Sequence, residues 1–192
     1  MRSTTCCAAV GTLALIVAAA GALLAAVKPQ ETSFEVRKTE ARVVLYTIHR
    51  GSFDKVGATI QDLMTMAVPK GLIPSGPISF VYLTNMELTP KEHWLTEIRI
   101  PVGEDALKLA GALGKFTDVM KLAPIDVVVA TKPEGMADPG PVYHKLYPWL
   151  SENGYVPVEG PREQFLTNAE SNDYSKMKTE IMIPVMKVSG TK

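Results

Sequence analysis

The chain has 192 residues, and its 20 Lys and Arg balance 20 Asp and Glu. That balance, with no basic run, leaves no electrostatic footprint for nucleic acid. The only cysteines, Cys6 and Cys7, lie near the N-terminus, so the remainder forms no intrachain disulfide and depends on a packed core, for which roughly 160 residues suffice.

Residues 1–7 form a short n-region with Arg2 as its positive charge, and residues 8–27 carry no charge at all. As a helix at about 1.5 Å per residue, that run is about 30 Å long, the thickness of a hydrocarbon core. It predicts an uncleaved transmembrane signal anchor. A cleaved signal peptide is the alternative, because Ala20-Gly21-Ala22 has the small-x-small form of a cleavage site. Lys28, Arg37 and Lys38 follow the span and weaken the positive-inside argument. The expected location is therefore a membrane-anchored N-terminus with the domain extracytoplasmic, or a secreted or periplasmic domain if the segment is cleaved.

A polar linker at 28–33 leads to a brief strand at 34–37 and a Val/Leu/Ile-rich strand at 42–49, ended by Gly51. Ser52 is placed to cap a helix at 53–67, whose Val56, Ile60, Leu63, Met64 and Ala67 follow helical spacing. Pro69, Gly71, Pro74 and Gly76-Pro77 stop it. Strands are predicted at 78–84 and 94–100, the second closed by Pro101. A helical or loose connector at 103–115 follows, and 116–122 repeats the opening strand. Further along, the pattern gives a strand at 125–131, a helix at 141–152, and strands at 163–166 and 178–183. Pro148 should kink that second helix or delay its start.

The order strand-helix-strand-strand thus occurs twice, and the residues repeat with it. Thr96-Glu97-Ile98-Arg99-Ile100-Pro101-Val102 recurs as Thr179-Glu180-Ile181-Met182-Ile183-Pro184-Val185. On the same shift of about eighty-three positions Leu63 meets Leu146, Gly71 meets Gly154, Pro74 meets Pro157, and Leu83-Thr84-Asn85 meets Leu166-Thr167-Asn168. Upstream, Val43, Leu45 and Gly51 meet Val127, Val129 and Gly135. A collinear series of this length predicts a duplicated unit. The expected fold is α+β, with repeat one at 34–102, repeat two at 116–187 and a tail at 188–192. A pseudo-twofold axis would relate the repeats across a groove.

Side chains alternate along a strand, so Ile98, Ile100 and Val102 share one face, as do Ile181, Ile183 and Val185. Those faces should meet the helices. Glu97 with Arg99, and Glu180 with Met182, point the other way, toward the expected groove.

These residues resemble the GyrI-like domains, also called bacterial transcription-activator effector-binding domains. The resemblance rests on Gly51-Ser52-Phe53, Leu146-Tyr147-Pro148-Trp149-Leu150, the segments Gly71-Leu72-Ile73-Pro74-Ser75-Gly76-Pro77 and Gly154-Tyr155-Val156-Pro157-Val158-Glu159-Gly160-Pro161, and the two Thr-Glu-Ile strands. It covers residues 34–187 and implies a groove for small, often aromatic or cationic, organic molecules. It also implies that Glu180 is a pocket acid and, by the duplication, Glu97 its counterpart. The chain departs from the family's regulators in having no helix-turn-helix segment, and from its usual members in the apolar N-terminal run and in Pro148.

Tyr46, Tyr82, Trp94, Trp149, Phe165 and Tyr143 are candidate walls, since cation–π contact contributes about 0.5–2 kcal/mol per ring. The bland alternatives are plain core for each aromatic, and for Glu97 an ion pair with Arg99 or Lys178. Some family members resemble hydrolases of strained electrophiles, in which a pocket glutamate with an aromatic partner activates water. Glu180 with Tyr82 or Trp149 is the corresponding set here. His49, His93 and His144 show no metal spacing and are expected as satisfied surface or loop residues. Gly111-Ala112-Leu113-Gly114-Lys115-Phe116-Thr117 lacks the glycine spacing of a phosphate loop, and no Gly-x-Ser-x-Gly elbow occurs.

Three function classes remain. The first is a membrane-tethered binding domain for a small organic ligand, with no cofactor or metal and no nucleic-acid partner. The second is a hydrolase using a pocket glutamate, and the third a membrane-anchored protein-interaction scaffold.

Overall fold

A computed structural model describes residues 33–166 and 177–188. The expected span at 8–27 lies outside those residues. Among the described residues no helix is long and apolar enough to cross a membrane.

The elements run β1 (Phe34–Lys38), β2 (Arg42–Arg50), α1 (Val56–Ala67), β3 (Ser79–Tyr82), β4 (Leu95–Val102), β5 (Thr117–Leu122), β6 (Asp126–Lys132), α2 (Gly140–Glu152), β7 (Tyr155–Pro157), β8 (Arg162–Phe165) and β9 (Thr179–Lys187). Short 3-10 turns at Phe53–Lys55 and Val68–Lys70 flank α1. One antiparallel sheet is ordered β1-β6-β9-β8-β3-β4-β2-β5, with β7 pairing the end of β9. The fold is thus α+β, as the pattern predicts. β2-α1-β3-β4 and β6-α2-β8-β9 follow the same order, and they meet where β3 pairs with β8.

Two opening strands cross over. β1 pairs with β6, and β5 pairs with β2, so each lies on the half it does not precede.

Alternation decides the two faces as expected. Ile98, Ile100 and Val102 of β4 join Val43 and Leu45 of β2 in a core with Val56, Leu63 and Ala67 of α1. Ile181, Ile183 and Val185 of β9 join Val128 and Ala130 of β6 in a second core with Val142, Leu146 and Leu150 of α2. Fully buried Leu146 and Ile181 contribute on the order of 1.5–3 kcal/mol each by area. Both helices therefore cover one face, termed the helix face; the other is termed the open face.

The prolines depart from expectation. Pro101 and Pro184 do not end their strands but sit inside β4 and β9, opposite Val44 and Val127. An antiparallel ladder has positions whose N–H makes no inter-strand bond, and proline costs nothing there. Their carbonyls accept instead from loop amides, Ser75 N to Pro101 O at 2.8 Å and Val158 N to Pro184 O at 3.0 Å. Nor does Pro148 delay α2, which begins at Gly140 and runs through it. The extra short strand β7 was not anticipated, and the 103–115 connector contains a 3-10 turn at Glu104–Leu109.

His49 corrects another expectation. It is buried at 4% exposure rather than on the surface. Its Nε2 lies 3.1 Å from the Ser52 carbonyl and its Nδ1 2.8 Å from Thr59 Oγ1. A carbonyl only accepts, so Nε2 carries a proton and donates it to Ser52. The ring ties β2 to α1.

Gly160 fixes how closely β8 follows β3. A Cβ there would fall on the Tyr82 carbonyl oxygen, and Tyr82 N donates to Pro161 O at 3.1 Å. Gly160→Ala should lower stability by about 1–3 kcal/mol, the usual cost of overpacking against backbone. Urea unfolding checks this, and an unchanged midpoint would refute the close approach.

Candidate functional site

The β3–β8 seam carries the densest chemistry of the helix face. On β8 the alternation puts Glu163 at the same parity as core Phe165, and its pairing partner across the seam is Phe80. On the shift that aligns the repeats, Glu163 also falls on Phe80. An acid thus stands where the other half has a phenylalanine. It is 5% exposed.

Its partners come from both halves. Tyr143 of α2 donates its hydroxyl to Glu163 Oε1 at 3.2 Å. The Tyr82 hydroxyl from β3 interacts with the same carboxylate, and the Lys132 ammonium from β6 attracts it. Lys132 is itself buried and donates to the Met136 and Met177 carbonyls, each at 2.8 Å. Burial nonetheless dominates and raises the Glu163 carboxyl above the ordinary carboxylate range, against the pull of Tyr143, Tyr82 and Lys132. Burial, then the nearby carboxylate, pushes both tyrosines well above the usual phenol range, so they remain protonated donors.

Aromatic rings surround this acid. Phe80 meets Phe165 edge-on at 4.7 Å, and Phe53 lies 5.8 Å from Tyr82 and 5.4 Å from Trp94. From α2, Tyr143 stacks with Tyr147 at 6.2 Å, and Tyr147 is exposed. Half-buried Tyr82 and Tyr143 flank the acid, and exposed Tyr147 stacks on Tyr143. Such a set can hold a cation or a polarised donor at its floor and flat apolar groups along its walls.

The residues named from sequence divide between this place and others. Tyr82, Tyr143 and Phe165 belong to it, and Trp94 borders it through Phe53. Trp149 packs in the second core, 5.6 Å from Phe34 and 6.0 Å from Tyr155. Tyr46 stands on the open face opposite Arg99. Glu180 and Glu97 are also on the open face, and each is paired. Arg37 Nη2 lies 2.6 Å from Glu180 Oε2, and Arg99 Nε donates to Glu97. Glu180 and Tyr82 project from opposite faces of the sheet, so they do not form an acid–aromatic pair. Glu163 escaped the sequence reading although the signal was present: an acid two residues before Phe165 on a short strand takes the parity of the core. Among the described residues no cluster of His, Cys, Asp or Glu could hold a metal ion.

A raised native pKa has a definite consequence for stability. The folded protein keeps a proton on Glu163 that the unfolded chain releases, so this contribution is complete below about pH 4.3 and is lost as pH rises through the native value. Glu163→Gln should therefore gain on the parent protein at pH 8 and lose that advantage by pH 4. Thermal melts across this range check it, and a pH-independent difference would count against a burial-raised acid.

Comparison with family models and with curated proteins finds no match. Solved structures do match. EcmrR in the EcmrR–DNA complex of EcmrR-RPo aligns with a TM-score of 0.67 at 17% identity, over 82% of this chain and 58% of that one. The chain thus spans little more than half of that EcmrR chain. The EcmrR C-terminal domain aligns with a TM-score of 0.65 at 18% identity, over 82% of this chain and 99% of that one. A hydrolase from Listeria innocua aligns with a TM-score of 0.57 at 12% identity, over 80% of this chain and 91% of that one. This chain has the fold of the EcmrR C-terminal domain, the GyrI-like fold that its residues resemble.

Proposed function

We propose that this chain is a binding domain for a small organic ligand, aromatic or cationic, held on the helix face at the β3–β8 seam. The observation that carries the reading is Glu163, a buried carboxylate ringed by Tyr82, Tyr143 and Phe80. A buried acid costs stability, and in a binding site a ligand cation offsets that cost. The fold shared with the EcmrR C-terminal domain agrees with this use. In this reading the two halves descend from one duplicated unit, with a pseudo-twofold axis at the seam. Gly71 and Gly154, aligned by the repeat, share a left-handed backbone (φ 77° and 67°) and support that origin. Residues 8–27 would tether the domain to a membrane on the extracytoplasmic side.

A ligand cation should bind the full chain and depend on Glu163. Fluorescence titration with ethidium as probe should show saturable binding that Glu163→Gln weakens about tenfold or more, in line with a charge-assisted contact of about 1.5–3 kcal/mol. Glu180→Gln, on the other face, should leave binding unchanged. Equal binding by the parent and Glu163→Gln would overturn the assignment. Native mass spectrometry of the chain from its own host would reveal a co-purifying molecule and separate binding from scaffolding.

One observation favours hydrolysis as a second reading. Glu163 has the raised pKa and the tyrosine hydroxyl partners of a general base that positions water. Turnover of an epoxide substrate that disappears in Glu163→Gln would support it. Turnover that survives the change would exclude this residue as the base.

A further inference from the structure

The open face places three arginines where a single recess meets them. Arg42 of β2, Arg99 of β4 and Arg162 of β8 all have open-face parity, and Arg99, Ser79 and Gln164 lie in register across β4, β3 and β8. Together these five side chains line a recess of about 30 Å³. By that measure a single water needs about 10–15 Å³, so the recess has room for a small polyatomic group.

Two of the arginines are buried without their full complement of acceptors. Arg99 and Arg162 are each 9% exposed. Arg99 donates Nε to Glu97, and Arg162 donates Nη2 to Glu159 at 2.7 Å. Among the described residues Arg99 Nη1 and Arg162 Nε have no hydrogen-bond partner. A guanidinium cannot shed its charge as a lysine can, so an unpaired buried N–H is a standing cost. Arg42 reaches only the Gln164 amide oxygen, at 3.4 Å, and among the described residues it forms no ion pair. The acids nearby are spent or peripheral: Glu97 and Glu159 are engaged, Glu180 is held by Arg37, and Glu40 is exposed at the rim. Burial lowers the Arg162 pKa against the opposing pull of Glu159, and Arg99 and Arg42 add to the lowering.

We propose that this recess is a binding site for a small oxyanion, a phosphate or carboxylate group, held by Arg42, Arg99 and Arg162 with Ser79 and Gln164. One oxyanion supplies what all three arginines lack. It brings lone pairs for Arg99 Nη1 and Arg162 Nε, and a negative charge among three like charges. The site is separate from the one around Glu163, which is on the other side of the sheet.

The test uses the full chain at fixed ionic strength. Inorganic phosphate, acetate and chloride are titrated while side-chain Nε–H resonances of arginine are followed by NMR. The site predicts a saturable shift of the Arg162 Nε–H with phosphate or acetate, and none with chloride. Whichever of the two oxyanions saturates at lower concentration identifies the group. Arg42→Gln, which removes no ion pair, should weaken that binding about tenfold. Glu163→Gln should not change it. Linear, non-saturating shifts with all three salts would overturn the proposal, as would equal affinity in folded Arg42→Gln. Should that variant not fold, the anion selectivity of the parent protein decides alone.

Discussion

Everything in this molecule hangs on the pairing of β3 with β8. Each half brings its own helix and its own apolar core, and the first core reaches across the seam through Phe165 and Met177. Besides the exchanged strands β1 and β5, they are joined by a short antiparallel ladder in which Phe80 faces Glu163. Gly160 permits the approach, because no side chain fits beside the Tyr82 carbonyl. The same constraint that holds the halves together therefore presents an acid where two cores end and water is excluded by aromatic rings.

The two faces of the sheet solve opposite problems. The helix face buries an acid and surrounds it with hydroxyls, rings and one buried ammonium. The open face buries cations and leaves some of their hydrogens without acceptors. Both are costly arrangements in a protein held together by ordinary apolar packing. Local frustration of this kind is what a binding surface retains and a purely structural surface loses. The ion pair Arg37–Glu180 shows how the same sheet silences a charge it does not use.

Much of the fold was legible in the residues. Repetition of Thr-Glu-Ile with its collinear partners gave the element order, and alternation placed Ile98, Ile181 and their neighbours in the cores. The failures have physical reasons. Pro101 and Pro184 looked like stops because a sequence does not say which ladder positions lack an inter-strand N–H bond. Glu180 points away from the helices, as alternation predicts, and there it is paired with Arg37. Glu163 was hidden by its chemistry: an acid at core parity reads as a surface residue until the pairing register is known. Trp149 packs in the second core and Tyr46 stands on the open face, since aromatic type says nothing about which helix or face a ring will join.

The crossed opening strands carry one more implication. Because β1 lies on β6 and β5 on β2, each half lends the other an edge. A chain holding only one half would leave that edge bare and carry an arm with nowhere of its own to dock. Its natural remedy is a second copy, each arm completing the other's sheet, which is an exchanged dimer. Joining both halves in one polypeptide makes that embrace permanent and independent of concentration. It also frees the seam to become asymmetric, with phenylalanine on one side and glutamate on the other.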